Sequence, residues 1–254
     1  MHFLLTNDDG IHAPGIRALG EAARAAGHRV SVCAPDRERS AASHSITLPG
    51  PLKARKLALD WADAAWAVDG TPADCARLGV WLTRNDPADV VLSGINRGMN
   101  LGGACVYSGT VGAAQEAAMA GAIALGVSLC VFPGLPEDYS AAARLGVRVA
   151  EWAAAHPLPG AAMYNLNVPS CPYEALKGLV AARMAPVFVG GTRFTETPLD
   201  DGAVAYEYHF EDFPDYPDPD LDFERVKAGW ATITKLTWDF RLPEDDTELN
   251  GIGL

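Results

Sequence analysis

The chain has 254 residues, 49% of them hydrophobic, which suffices for one large α/β domain with a sizeable core. Its 20 basic and 32 acidic residues leave a net charge of −12, which argues against a nucleic-acid polymer as partner. No apolar run approaches the roughly 18 residues of a membrane span, and Met1-His2-Phe3-Leu4-Leu5 lacks the basic region of a signal peptide, so neither a membrane nor export is expected.

Phe3 to Thr6 is predicted as a short buried strand. Gly15 to Ala26 carries Ile16, Leu19, Ala23 and Ala26 at helical spacing, and Gly27 stops it. Arg29 to Ala34 is the next strand, turned by Pro35. Thr71-Pro72 opens a helix, because Thr is a good N-cap and Pro suits the first helical position. Asp89 to Ser93 is a strand, Thr110 to Met119 an Ala-rich helix, Ile123 to Val131 a strand, and Tyr139 to Ala155 a long amphipathic helix. Strands alternating with helices imply a mostly parallel sheet with right-handed crossovers.

The second half reads differently. Met163 to Val168 completes the sheet, while Lys177 to Met184 and Ala203 to Phe210 read as longer, more exposed strands. Phe194, Tyr206, Tyr208, Phe210, Phe213 and Tyr216 need a surface to pack on; a partner subunit and a simple α+β appendage both provide one. Glu211 to Glu224 holds seven acids with Pro214, Pro217 and Pro219, the composition of a solvated loop. Five scattered cysteines (Cys33, Cys75, Cys105, Cys130, Cys171) form no CxxC pair, which fits reduced thiols in a cytoplasmic protein, most of them small core residues.

The chemistry concentrates after the predicted strands. Asn7-Asp8-Asp9-Gly10 follows the first. Adjacent carboxylates repel, and a hard cation with oxygen ligands relieves that repulsion; the same letters also make an ordinary turn. Asp36-Arg37-Glu38-Arg39-Ser40 through Ser45 follows the second strand, and Ser93-Gly94-Ile95-Asn96 through Gly102 follows a third. Tyr107-Ser108-Gly109-Thr110-Val111 stands where a helix begins, and free helix N–H groups suit a phosphate. In an open parallel sheet the carboxyl ends of the strands are where ligands bind. Asp8, Asp9, Ser40 and Asn96 would supply two carboxylates, a hydroxyl and an amide oxygen. That set suits Mg²⁺ or Mn²⁺ better than Zn²⁺.

Asn7-Asp8-Asp9-Gly10, Ala34-Pro35-Asp36-Arg37 through Ser40, Gly70-Thr71-Pro72-Ala73-Asp74-Cys75, Ser93-Gly94-Ile95-Asn96, Asn100-Leu101-Gly102 and Tyr107-Ser108-Gly109-Thr110-Val111 resemble the motifs of the SurE (survival protein E) nucleotidase family, in its order and spacing. The resemblance covers residues 1 to about 130 well, and Asn165-Leu166-Asn167-Val168-Pro169 extends it. It implies a SurE-like (Rossmann-like) α/β core over residues 1–170, a mostly parallel sheet flanked by helices, and a β-rich extension over residues 171–254 that completes the fold and mediates oligomerisation.

It also implies a 5'-nucleotidase acting on nucleoside monophosphates, with 3'-nucleotidase and exopolyphosphatase activities as possible extras. One divalent ion per subunit, Mg²⁺ or Mn²⁺, would be held by Asp8, Asp9, Ser40 and Asn96. Ser108, Gly109 and Thr110 would hold the phosphate, with Asn96 between it and the metal. Asp8, Asp9 and Asn96 are the candidate catalytic residues, and a homodimer or homotetramer with an exchanged C-terminal arm is expected. The sequence departs from the family pattern at Glu38, often a neutral polar residue, at Ala41, often a Gly, at Ile233-Thr234-Lys235-Leu236, and over residues 180–220.

The reaction expected is direct transfer of the phosphoryl group to water, with Asp8 or Asp9 taking the water's proton. An aspartyl-phosphate is less favoured, because haloacid-dehalogenase-like phosphatases separate their two Asp by one residue and here they are adjacent. His12 and His44 are either general acids or ordinary loop histidines. A non-catalytic metal and nucleotide sensor is the competing class. A dinucleotide enzyme is disfavoured, since no GxGxxG follows the first strand.

Overall fold

In the computed structural model, which describes residues 1–48, 50–132, 134, 136–186, 192–210 and 215–237, the first strand forms the middle of the sheet. β1 (His2–Thr6) is buried along its whole length. Its alternation serves two faces: Phe3 and Leu5 pack into one apolar cluster and Leu4 into another. Each such fully buried side chain stabilises the fold by about 1.5–3 kcal/mol.

The chain continues through α1 (Pro14–Ala25), β2 (Arg29–Pro35), β3 (Lys53–Leu57), β4 (Ala64–Asp69), α2 (Pro72–Leu82), β5 (Val90–Arg97), α3 (Gly109–Met119), β6 (Ala124–Cys130), α4 (Ser140–Ala155) and β7 (Ala162–Pro169). Beyond it come β8 (Leu179–Ala181), β9 (Thr192–Pro198), β10 (Val204–Phe210), α5 (Asp222–Lys227) and β11 (Ala231–Thr237). The main sheet has the order β3-β4-β2-β1-β5-β6-β7-β11-β8. From β4 to β7 every neighbouring pair is parallel; β3 and β11 run antiparallel to their neighbours β4 and β7. Helices α1 and α4 cover one face and α2 and α3 the other. β1 has β2 on one side and β5 on the other, so the order reverses there, and the crevice of a doubly wound sheet opens at that point.

Several elements differ from expectation for identifiable reasons. β3 has no apolar alternation because it is an exposed edge, and Lys53, Arg55 and Lys56 blunt it against further pairing. β5 runs past Ser93 to Arg97 through a bulge: Ser93 pairs with Gly126 but Asn96 with Ser128. β8 is three residues long because the chain then bonds elsewhere. The Arg183 N–H donates to the Asp220 carbonyl, and the Arg183 carbonyl accepts from the Asp222 N–H.

The acidic stretch is not solvated throughout. Its residues 211–214, Phe213 among them, lie outside the described residues. Further on, Asp222 begins α5 and is 1% exposed. Its carboxylate accepts from the N–H of Gly102 at 2.8 Å and of Ala185 at 2.9 Å, which ties the C-terminal segment to the loop after β5. The aromatics split into groups: Phe194 and Tyr208 meet edge to face on the β9–β10 hairpin, while Tyr216 packs on Phe223. Among the described residues no helix is long and apolar enough to cross a membrane.

Candidate active site

Three loops meet beyond the carboxyl ends of β1, β2 and β5. Asn7 closes the first: its amide nitrogen donates to the Gly10 carbonyl and its amide oxygen accepts from the Gly10 N–H. This turn presents Asp8 and Asp9 in sequence. Asp8 is 4% exposed and Asp9 half-buried. The β5 bulge brings the neighbouring strand to the pair, since the Arg97 N–H donates to Asp9 Oδ2 at 3.1 Å. Arg97 in turn is bonded to Glu137. Asn96, one residue earlier, donates its amide nitrogen to the Gly98 carbonyl at 2.9 Å, which leaves the amide oxygen as its acceptor.

The N-terminus of α3 completes the floor. Ser108 is its N-cap, with Oγ accepting from the Val111 N–H. Thr110, wholly buried, donates its hydroxyl to Asp8 Oδ1 at 2.5 Å. Between them, Gly109 lies so close that a Cβ there would sit 2.9 Å from Asp8 Cβ and 3.0 Å from Oδ2. Only glycine lets the helix end, with its exposed N–H groups, approach the carboxylate this closely.

The loop after β2 forms the roof. The Arg39 N–H donates to the Asp8 carbonyl at 2.7 Å. Ser40, next in the chain, is exposed, and its hydroxyl donates to Glu38 Oε1 at 2.6 Å. Ser43 bonds through its N–H to the Tyr107 carbonyl and through Oγ to the Val106 carbonyl. His44 Nε2 meets Glu116 Oε2 at 2.8 Å, and the other oxygen of that buried carboxylate accepts from Arg77 Nε. Thr47 donates to Asp74, which also closes the capping box of α2 with Thr71.

Burial governs the electrostatics of the floor. It pushes the Asp8 carboxyl up to about 6, against the lowering effect of Thr110 and with further help from the charge of Asp9. Asp9 is raised too, first by burial and further by the charge of Glu38, while the Arg97 N–H opposes. Two adjacent carboxylates whose ionisation is costly make a site that a cation relieves. Among the described residues no three of His, Cys, Asp or Glu form a metal-binding group. An ion at this pair would therefore draw its remaining oxygens from neutral donors such as Ser40 and Asn96, the hard-oxygen chemistry of Mg²⁺ and Mn²⁺.

All the expected site residues lie on these loops. Asp8, Asp9, Ser108, Gly109 and Thr110 form one contiguous floor; Ser40 and Asn96 stand next in the chain to Arg39 and Arg97, whose N–H groups bond to Asp8 and Asp9, while their own side chains bond to Glu38 and to the Gly98 carbonyl. His44 is committed to Glu116. His12 is exposed and lines a separate crevice of about 290 Å³ with Arg17, Asp60 and Trp61. The anchors Glu116 and Asp74 escape a sequence reading centred on the loops, although Thr71-Pro72-Ala73-Asp74 spells the capping box in its letters. A groove of about 960 Å³ lies elsewhere, between α4 and the β7–β11–β8 edge, lined by Trp152, Tyr164, Leu176, Met184 and Ile233 and, among the described residues, by no carboxylate.

Comparison with known proteins gives the chain a family. The family model described as survival protein SurE matches residues 3–189. The 5'-nucleotidase SurE of Geobacter sulfurreducens is 41% identical over 240 residues, covering 94% of this chain and 88% of that protein. The 5'-nucleotidase SurE of Carboxydothermus hydrogenoformans is 44% identical over 186 residues, 72% of this chain and 70% of that one. The crystal structure of the SurE protein from Aquifex aeolicus superimposes with a TM-score of 0.81 at 35% identity, covering 95% of both chains. The matched span holds β1, the bulged β5 and the glycine-cradled helix end alike, and the chain belongs to the SurE family.

Proposed function

We propose that the protein is a divalent-metal-dependent phosphomonoesterase that hydrolyses nucleoside 5'-monophosphates to nucleoside and phosphate. The observation that carries this reading is the N-terminus of α3 lying against Asp8 at the switch point of the sheet, held there by Gly109 and Thr110. Anion-binding N–H groups and a carboxylate pair that favours a cation then face one space. The names of the relatives 41% and 44% identical point to the same activity. Activity on 3'-phosphates and on short polyphosphate would be extensions of the same chemistry.

In this reading Asp8, Asp9, Ser40 and Asn96 hold one Mg²⁺ or Mn²⁺ per subunit. Once bound, the cation polarises a phosphate oxygen and lowers the pKa of bound water. Ser108 Oγ accepts from its own helix and keeps its proton to donate to a phosphate oxygen, as do the first free N–H groups of α3. Asn96 bridges toward the phosphate. Water attacks phosphorus, the ester P–O bond breaks, and Asp8 or Asp9 receives the water's proton. The leaving alkoxide is protonated from solvent, because His44 Nε2 is engaged by Glu116.

We further propose that residues 171–254 serve oligomerisation as well as the sheet, with the β9–β10 hairpin as the contact. Phe194, Tyr206 and Tyr208 on it are 52–60% exposed. A homodimer or homotetramer would cover them, and the mass of the full chain in solution tests this. Five free thiols favour the cytoplasm. For the activity itself the test is phosphate release from 5'- and 3'-nucleoside monophosphates with Mg²⁺, Mn²⁺ or EDTA. Metal-dependent release is expected; no release with any metal overturns the reading.

A further inference from the structure

The reaction as proposed leaves Glu38, two residues before Ser40 on the same loop, without a role. Its side chain is exposed, so it carries no part of the core. Its one hydrogen bond of note is functional in place: the Ser40 hydroxyl donates to Glu38 Oε1 at 2.6 Å, a short, charge-assisted bond. Glu38 and Ser40 flank Arg39, whose N–H is bonded to the Asp8 carbonyl. On the other side, a Cβ at Gly10 would lie 3.1–3.4 Å from the Arg37 backbone. The loop thus lies against residues 8–10 on both sides of Glu38, at Arg37 and at Arg39.

A neutral hydroxyl is a weak ligand with a free rotor. When its proton is given to a carboxylate, the rotor is fixed, the oxygen lone pairs are left for a cation, and the oxygen becomes a better donor. We propose that Glu38 is a positioning residue for a divalent cation at Asp8 and Asp9: it orients the Ser40 hydroxyl as a ligand. This rests on the cation site of the proposed function and deepens it. It identifies a second-layer residue that sets how tightly this chain holds its ion.

The test is Mn²⁺ binding by electron paramagnetic resonance, without substrate, on the full chain. Glu38→Gln keeps an acceptor for Ser40 and removes the charge; Glu38→Ala removes both. Glu38→Ala is expected to weaken Mn²⁺ binding by roughly 10–100-fold, and Glu38→Gln by less. Both variants should regain parental turnover at saturating Mn²⁺, which a mere folding defect would not allow. In a Ser40→Ala background the further loss from Glu38→Ala should largely vanish, because the carboxylate then has no hydroxyl to orient. Parental Mn²⁺ affinity in both Glu38 variants, or full additivity with Ser40→Ala, overturns the inference and leaves the phosphatase reading standing. A parent that binds no Mn²⁺ overturns both.

Discussion

The floor and the roof of the site are built on opposite principles. The floor, from Asp8 to Thr110, is buried, and its spacing is set by backbone approach: a glycine where any side chain would collide, and a threonine hydroxyl bonded to the carboxylate. The roof, from Glu38 to His44, is exposed or half-buried and carries non-glycine residues in the left-handed region, Ala41 at φ +56° and Ser43 at φ +54°. Polar contacts to Asp8, Tyr107, Val106 and Glu116 hold it, and only its far end is packed on α3, where a Cβ at Gly112 would lie 2.5 Å from the Ser43 carbonyl oxygen. Precision in the floor comes from packing, which is hard to relax; precision in the roof around Ser40 comes from a few hydrogen bonds acting against local strain. The floor should therefore fail abruptly when altered, and the roof gradually.

The largest expected effect is at Asp8. Asp8→Asn keeps an acceptor for Thr110 and removes the charge, and phosphate release should fall by about a thousandfold or more. Stability should move the other way. Because the folded carboxyl titrates near 6 and the unfolded one near 3.8, the folded state keeps its proton longer. The metal-free parent therefore loses stability as pH rises through that window, and above about pH 6 the full cost applies, roughly 3 kcal/mol. Metal-free Asp8→Asn should melt above the parent at pH 7–8 and level with it below pH 4. Thermal melts across pH 3.5–8 in EDTA check this, and equal melting points at pH 8 would mean that the buried charge is already compensated.

Gly109→Ala comes next. The added methyl collides with Asp8 and with Pro72 Cγ at 3.0 Å, so the helix end must retreat. Such overpacking costs about 1–3 kcal/mol, and a displacement near 1 Å at the reacting groups costs about a hundredfold in rate. Both kcat and phosphate affinity should drop, measured as turnover and as inhibition by inorganic phosphate. Unchanged kinetics would mean that the floor is as pliable as the roof.

This division also explains what could be read from the sequence. Phe3–Thr6 and Ile123–Val131 are legible because strands buried on both faces are continuous apolar runs, and the place of Asp8 and Asp9 at a strand's carboxyl end is legible because they come just after such a run, whereas Asn96 lies within β5, past the end that its apolar letters mark. The capping residues Ser108 and Thr71 announce their helices. What stays hidden is tertiary. The pairing of His44 with Glu116 joins residues 72 apart in the chain, and no spacing announces it. β3 is hidden because an exposed edge needs no apolar pattern. β11 is hidden because its place between β7 and β8 depends on a chain reversal through α5 rather than on its own letters. Asp222 sits in an acid-rich run that reads as solvated, yet it is buried because three backbone N–H groups, those of Gly102, Ala185 and Phe223, converge on it.

A moderate effect is expected where roof meets α3. His44→Ala removes one partner of the buried Glu116 carboxylate and leaves Arg77 as the other. Hydrogen bonds to charged groups contribute about 1.5–3 kcal/mol, so a loss near the lower end is expected in denaturant unfolding. The Mn²⁺ concentration needed for half-maximal activity should rise several-fold while kcat at saturation holds. A general acid would behave otherwise, its removal lowering kcat by about 10²–10⁴-fold at every metal concentration. That outcome would return His44 to the chemistry.

The smallest effect, and the sharpest on the contrast between the two regions, is at Ala41. An alanine at φ +56° carries roughly 1–2 kcal/mol of backbone strain. Ala41→Gly removes that strain but frees the unfolded chain, which offsets about 0.4–1 kcal/mol of the gain. The balance favours the glycine variant by under about 1 kcal/mol, a rise of a few degrees at most in melting temperature. Binding should shift in the opposite direction, because a glycine lets the segment beside Ser40 sample more conformations, and ordering it on the ion then costs entropy. A small gain in stability together with a two- to threefold weaker Mn²⁺ affinity, an estimate of order RT, would show that strain in the roof serves to hold Ser40 in place. If both quantities rise together, the strained turn is a mere tolerance of this sequence, and the roof is positioned by its contacts without help from the strain.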